Sequence, residues 1–271
     1  MCLVAVAIGQ SPRWAWVIAS NRDEFFDRAS TPLAWWRPEA GGVDVLSGRD
    51  LAGGGTWLGL ARSGRLALVT NVREPGRYVA GLPSRGELVT QWLMGDATPL
   101  ASTLAVPRNG YNLLRANLLD GTLDWGSNRL AQQSTLGPGL YGLSNAALDT
   151  PWPKTLRLKA ALQQTLSHHP GCSARDLNAA LLPALADAEP APDDQLPDTG
   201  VGLERERQIS SAFIRVAGGV AGYGTRCSTV VAAETLGDGL RVHVFERSFD
   251  FEGRVVQEAE HCFVPQHEAA T

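Results

Sequence analysis

Residues 2–9 read CLVAVAIG and residues 14–21 read WAWVIASN, two runs that are apolar at odd and even positions alike. A half-solvated strand alternates apolar with polar residues, so a run apolar on both parities has to be covered on both faces. Between them Gln10-Ser11-Pro12-Arg13 supplies turn-forming residues, and a β-hairpin is predicted. With Gly9 and Trp14 flanking the turn, paired residues have numbers summing to 23 and Cys2 faces Asn21. A hairpin of this kind belongs inside a layered structure; a lone solvated sheet does not accommodate it.

Further strands are predicted over residues 45–47, 56–61, 65–72, 111–119, 122–125 and 140–143, and a last pair over 225–233 and 240–247, joined across Gly237-Asp238-Gly239. Helical periodicity runs through 85–94, 153–166 and 173–186, the last with Ser173 as N-cap. Residues 188–200, rich in Pro and Asp, read as an exposed loop within the domain. The economical arrangement is α+β: two stacked, mostly antiparallel sheets enclosed by helices, with residues 1–271 forming a single domain.

Charge and cysteine usage narrow the function. The formal charge of −4 comes from interspersed signs with no block of Lys or Arg, so no nucleic-acid partner is expected. The leading apolar run is too short for a membrane helix or a signal-peptide core, and no positive residue precedes it. The expectation is therefore a cytoplasmic chain with no integral membrane segment. Cys2, Cys172, Cys227 and Cys262 lack CxxC or zinc-type spacing, so neither a disulfide framework nor a metal is expected, and no cofactor is implied. His168 and His169, adjacent at a predicted helix end, read as a solvated pair.

The predicted hairpin carries Arg22 and Asp23 past the Cys2 pairing, within side-chain reach of the thiol. If Met1 is removed, Cys2 acquires an α-amine with a reference pKa of about 7.7–8.0 beside a thiol of about 8.5. One residue then supplies base and nucleophile. Arg22 can stabilise the thiolate, and Asp23 can hold the amine. Asn71 in VTNVREP and Asn145 in LSNAALD each end an apolar run, where a side-chain amide can donate to an oxyanion. Arg226 in YGTRCSTVV begins another, placed either to orient a catalytic group or to bind an anionic substrate end. Taken singly, each residue has a plainer role: a buried small hydrophobe for Cys2, turn residues for the asparagines, a surface ion pair for Arg22 and Asp23. Their conjunction is what points to a site.

The segments MCLVAVA, NRDEFFDR, GRDLAGGGTWLGL, VTNVREP, SRGELV, LSNAALDTPWPK, ERERQISSAFI and YGTRCSTVV together resemble the NRDE family, also called the transport and Golgi organization 2 family. The resemblance runs from Met1 to about Phe249. That family in turn resembles the N-terminal nucleophile (Ntn) hydrolases with cysteine nucleophiles, such as penicillin V acylase and bile salt hydrolase. The resemblance implies a four-layer αββα fold. It also implies a catalytic set in which Cys2, Arg22, Asp23, Asn71, Asn145 and Arg226 occupy the corresponding positions.

Other prominent features have structural readings. The Gly triplet of GRDLAGGGTWLGL precedes no helix-opening phosphate motif and reads as a tight turn between strands. Trp57 is either a pocket wall or a core residue. Trp35 and Trp36, in the loop after the site, either line an acyl pocket or pack in the core. ERERQISSAFI reads as a loop-to-strand transition.

Two function classes follow. One is a cysteine Ntn hydrolase or acyltransferase acting on a non-peptide amide or thioester, its substrate an acyl-bearing small molecule, lipid-like or not. The other keeps the fold as a binding or carrier protein for an apolar ligand such as a fatty acyl thioester or haem. A degenerate, purely structural member ranks last. Oligomeric state is not encoded in any spacing rule.

Overall fold

A computed structural model describes residues 2–39, 42–130, 132–216 and 222–266, Cys2 by its main chain. Met1 lies outside them. Among the described residues the chain runs β1 (Cys2–Ile8), β2 (Trp14–Phe25), β3 (Ser30–Trp36), β4 (Val45–Asp50), β5 (Leu58–Ala61), β6 (Arg65–Asn71), α1 (Gly86–Leu93), α2 (Leu100–Ala105), β7 (Tyr111–Asn117), β8 (Thr122–Ser127), β9 (Gln132–Leu136) and β10 (Gly139–Leu143). It continues through α3 (Pro153–His168), α4 (Ala174–Leu185), α5 (Leu203–Gln208), β11 (Arg215–Val216), β12 (Tyr223–Leu236), β13 (Gly239–Phe249) and β14 (Val255–Phe263).

The strands form two antiparallel sheets, one ordered β10-β1-β2-β12-β13-β14 with β11 on β12, the other a meander from β3 to β9. Their facing sides share one core: Val4, Val6, Trp16 and Ile18 of the first sheet meet Leu46, Leu60, Leu68 and Leu114 of the second. The opposite parity of the first hairpin, Leu3, Ala5, Val17 and Ala19, packs under Leu158 and Leu162 of α3 and Leu177 and Leu181 of α4. On the far side of the second sheet, Leu88, Val89 and Leu93 of α1 cover Val45, Ala67 and Leu113. Helix, sheet, sheet, helix is thus the layer order, as expected from a hairpin apolar on both faces. No described helix is long and apolar enough to cross a membrane.

The hairpin register differs from the expected one by a residue. Gly9 takes a left-handed φ of 61°, and its N–H donates to the Ala15 carbonyl at 2.9 Å. The connection therefore spans residues 10–14, and pairing begins at Ile8 with Trp16. Cys2 then pairs with Arg22 and Leu3 with Asn21, so that paired numbers sum to 24. Glycine's tolerance of positive φ lengthens the turn, which the Pro-containing tetrapeptide alone did not reveal.

Strands β3, β9 and β14 were not expected. β3 and β14 are edge strands that pair on one side only, and β9 carries the mostly polar QQSTL. Such segments lack a two-faced apolar pattern. Trp35 and Trp36 lie on β3 rather than in a loop. Trp36 donates through Nε1 to Ser47 Oγ at 2.8 Å, and Trp35 packs edge-on against Phe263. ERERQ forms helix α5, not a transition to strand.

Ser173 caps α4 as expected: its Oγ accepts from the Asp176 N–H, and the Asp176 carboxylate accepts from the Ser173 N–H in return. Ser173→Ala is expected to lower the unfolding free energy by about 1 kcal/mol in urea titration; an unchanged midpoint would show that the cap is idle.

Candidate active site

Strand β2 hydrogen-bonds to β1 along one edge and β12 along the other, and ends in Asn21-Arg22-Asp23-Glu24. Alternation sends these side chains to opposite faces. Asn21 is fully buried on the helix side; its Nδ2 donates to the carbonyls of Leu185 (2.8 Å) and Ala212 (2.9 Å), and its Oδ1 accepts from Ser228 Oγ at 2.6 Å. This side chain ties the end of α4 to the sheet. Asp23 follows on the same parity, also buried, and accepts from Thr225 Oγ1 at 2.7 Å. Burial pushes its carboxyl above the ordinary range, with the Lys154 ammonium and the Thr225 hydroxyl pulling the other way.

Arg22 turns to the other face, between the sheets, and is 5% exposed. Its guanidinium lies 4.1 Å from the centroid of the Trp57 ring, a cation–π stack. No ion pair reaches it among the described residues, and its buried Nη1 has no hydrogen-bond partner among them. Trp57 is held in turn by Gly48, where a Cβ would come 2.3 Å from the indole Cη2. The glycine on β4 is the space into which the ring lies down.

A bulge sets the third side of the site. Between β2 and β12 the register runs Asp23 with Thr225 and then Arg22 with Cys227, leaving Arg226 as the extra residue. Without it Thr225 and Cys227 would share a face. With it Thr225 serves Asp23 on the helix side, while Cys227 stands with Arg22 between the sheets. Arg226 is thrown outward: Nη1 donates to the carbonyls of Phe25 (2.8 Å) and Arg28 (3.1 Å), and Nη2 to Ser30 Oγ (3.3 Å), stapling the β2–β3 connection. Burial lowers its pKa, and the Arg22 charge adds to that.

The asparagines come together from different sheets. Asn71 ends β6; Asn145 follows β10 and donates through Nδ2 to the Asn71 carbonyl at 2.8 Å. Asn145 is 1% exposed, while Asn71 is half-buried at the wall of a cleft of about 700 Å³. Arg22, Asp23, Asn71 and Trp57 line this cleft; Asn145 backs Asn71 from behind it, and Arg226 stands to one side. The glycine turn between β4 and β5 and the start of α1 form the opposite wall, where the Arg28 and Asp50 side chains pair at 2.8 Å.

Sequence reasoning missed three contributors. Glu246 is buried between the sheets, accepting from the Leu33 N–H (2.7 Å) and Thr229 Oγ1 (3.0 Å). Its signal was present: it continues the parity of Val242 and Val244 along β13, so a charge was due on the buried face. Lys154, 2% exposed, donates to the Ile209 carbonyl at 3.0 Å. Glu206 of α5 is buried against Arg73, whose N–H donates to the Asn145 carbonyl at 2.8 Å, which gives ERERQISSAFI its role behind the asparagines.

The family model described as Transport and Golgi organisation 2 matches residues 1–250. The chain belongs to this family. A Transport and Golgi organization protein 2 homolog from Bos taurus is 34% identical over 88% of the chain and 90% of the relative. The Homo sapiens homolog is 32% identical over the same shares, and the Drosophila melanogaster protein 26% identical over 87% and 88%. Among solved structures, a mutant conjugated bile acid hydrolase from Clostridium perfringens aligns over 100% of this chain and 99% of its own, with a TM-score of 0.47 and 6% identity.

Two outcomes test this geometry. Gly48→Ala is expected to displace Trp57 from under Arg22, lowering stability by about 1–3 kcal/mol in chemical denaturation; a crystal structure with the ring unmoved would refute the packing account. Glu246 is held by burial above the ordinary glutamate value of 4.5, so the folded chain binds its proton more tightly than the unfolded chain. Its contribution is present at low pH and is lost as pH rises through the folded value. Glu246→Gln should therefore flatten that part of the stability profile, measured by urea unfolding at stepped pH. Parallel slopes in parent and variant would contradict it.

Proposed function

We propose that this chain is a cysteine N-terminal nucleophile hydrolase or acyltransferase, acting on a non-peptide amide or thioester through an acyl-Cys2 intermediate once Met1 is removed. The observation that carries the reading is Arg22: buried, main-chain paired to Cys2, and with an Nη1 that has no partner among the described residues. A guanidinium in that condition suits an anion forming beside it, and a thiolate at position 2 is such an anion.

In this reading the α-amine of Cys2 takes the thiol proton and the sulfur attacks the substrate carbonyl. Negative charge passes to the carbonyl oxygen, where the Asn71 amide donates from the cleft wall. Asn145 holds the Asn71 main chain in place and has a second Nδ2 hydrogen to offer. Collapse breaks the carbon–nitrogen or carbon–sulfur bond, and the ammonium of Cys2 protonates the leaving group. Asp23, fixed by Thr225, accepts hydrogen bonds from the amine throughout. Water or another acceptor then attacks the acyl-enzyme by the reverse route. Arg226 positions the β2–β3 connection at the edge of the site.

The cleft wall carries Arg22, Asp23, Glu24, Arg28, Asp50 and Glu87, a lining that favours a polar substrate over a long acyl chain. Among the described residues no histidine lines it to serve as a haem ligand, so the haem-carrier reading has less support.

Purified protein should lack Met1 by intact mass and gain an acyl mass on Cys2 when offered a panel of activated esters and amides; Cys2→Ala should gain none. Arg22→Gln should shift Cys2 alkylation to higher pH, because the thiolate loses its counter-charge. Retention of Met1 together with an unlabelled Cys2 would overturn the proposal.

A further inference from the structure

Behind the Arg22–Trp57 stack lies a second, smaller cavity of about 150 Å³. Arg22 and Trp57 line both spaces and stand between them. The rest of its polar wall includes Arg226, Cys227, Glu246, Ser30 and Ser248, with Thr31 and Gln257 beside them. Two guanidiniums thus face one chamber. Arg22 has no ion pair among the described residues, and Arg226 is satisfied there by main-chain carbonyls and the Ser30 hydroxyl, not by a carboxylate.

Among the described residues Glu246 is the single carboxyl on the chamber wall, and its oxygens are already engaged by Leu33 N–H, Thr229 Oγ1 and the Cys227 side chain. Burial favours its neutral form. The chamber therefore carries more positive than negative charge, with hydroxyl donors at Ser30 and Ser248, apolar surface from Pro32 and Phe249, and the exposed Val256 and Gln257 completing its lining. Among the described residues, Arg22, buried with an open Nη1, and the half-buried Arg226 have Glu246 as their one counter-charge on this wall, and an anion sitting between them recovers part of the cost of burial.

We propose that this chamber is a binding site for a small free carboxylate, its carboxyl group held by Arg22 and Arg226 and its short apolar end against Pro32 and Phe249. The inference goes beyond the catalytic reading and does not require Cys2 to be a nucleophile.

Cys227 stands on the chamber wall and reports on it. In a Cys2→Ala protein, alkylation of Cys227 by iodoacetate is compared with alkylation by neutral iodoacetamide, read site by site by mass spectrometry. In either reaction the sulfur forms a bond to the methylene carbon, iodide departs with the bonding pair, and the thiol proton passes to solvent. A thiolate ordinarily reacts more slowly with the anionic reagent, and Cys172 and Cys262, both away from the chamber, serve as that reference.

At Cys227 the order should invert. Iodoacetate is expected to react about tenfold faster, the equivalent of one good charge-assisted contact, with a rate that saturates in reagent and is competitively slowed by propionate. Ser248→Glu, which brings a carboxylate to the wall, should abolish the inversion. Faster reaction with iodoacetamide, no labelling of Cys227 by either reagent, or indifference to propionate would each overturn the proposal.

Discussion

Strand β2 has no free edge and no free face. Its main chain is bonded to β1 and β12, one parity lies under α3 and α4, and the other lies against the second sheet. In such a strand, apolar residues cost nothing further, and polar ones must find partners or leave a charge uncompensated. The run from Trp14 to Ala19 obeys the first condition. Asn21, Arg22 and Asp23 answer the second in three different ways, and the site is built from the difference. Asn21 is satisfied completely by two carbonyls and a hydroxyl and acts as a structural tie. Asp23 is held by Thr225, and the Lys154 charge opposes part of the upward push that burial gives its carboxyl. Arg22 is stacked on an indole and left with an open donor.

The bulge at Arg226 makes this division possible. A regular strand would put Thr225 and Cys227 on one face, so either Asp23 or Arg22 would lose its neighbour. One inserted residue switches the parity between them, and the same residue then spends its guanidinium on the connection leaving β2. A single irregularity thus partners a carboxyl, places a thiol and anchors a loop. Bulges next to active sites commonly re-aim side chains in this manner.

The layered α+β plan was legible because the evidence for it was hydrophobic and local. CLVAVAIG and WAWVIASN demand cover on both faces, and the periodicity of residues 153–166 and 173–186 supplies it. The one-residue register error came from a glycine whose φ decides the turn. The unforeseen strands β3, β9 and β14 are edges or polar, where pairing depends on a neighbour distant in sequence. For the candidate site, the placement of Arg22 and Asp23 beside the Cys2 main chain was readable from their offset to Cys2. The joining of Asn145 to Asn71 was not, because a side-chain amide meeting a main-chain carbonyl across two sheets leaves no trace in spacing. Lys154 and Glu206 were hidden for a related reason. Charged residues on helices read as surface, and only the packing of α3 and α5 against the sheet's end buries them.

The energetics of Arg22 connect these observations. Moving a guanidinium out of water costs several kcal/mol unless an anion and full hydrogen bonding compensate. A desolvated cation–π contact returns about 2 kcal/mol or somewhat more, less than that cost, which leaves a deficit at the open Nη1. The fold carries that deficit: Gly48 clears the space, Trp57 fills it, and the main chains of β1 and β12 clamp the strand on either side. A group held in this way is an electrostatic device already oriented and already desolvated, so an anion arriving beside it requires little reorganisation. The two spaces that Arg22 borders, the cleft and the chamber, are where such an anion can arrive.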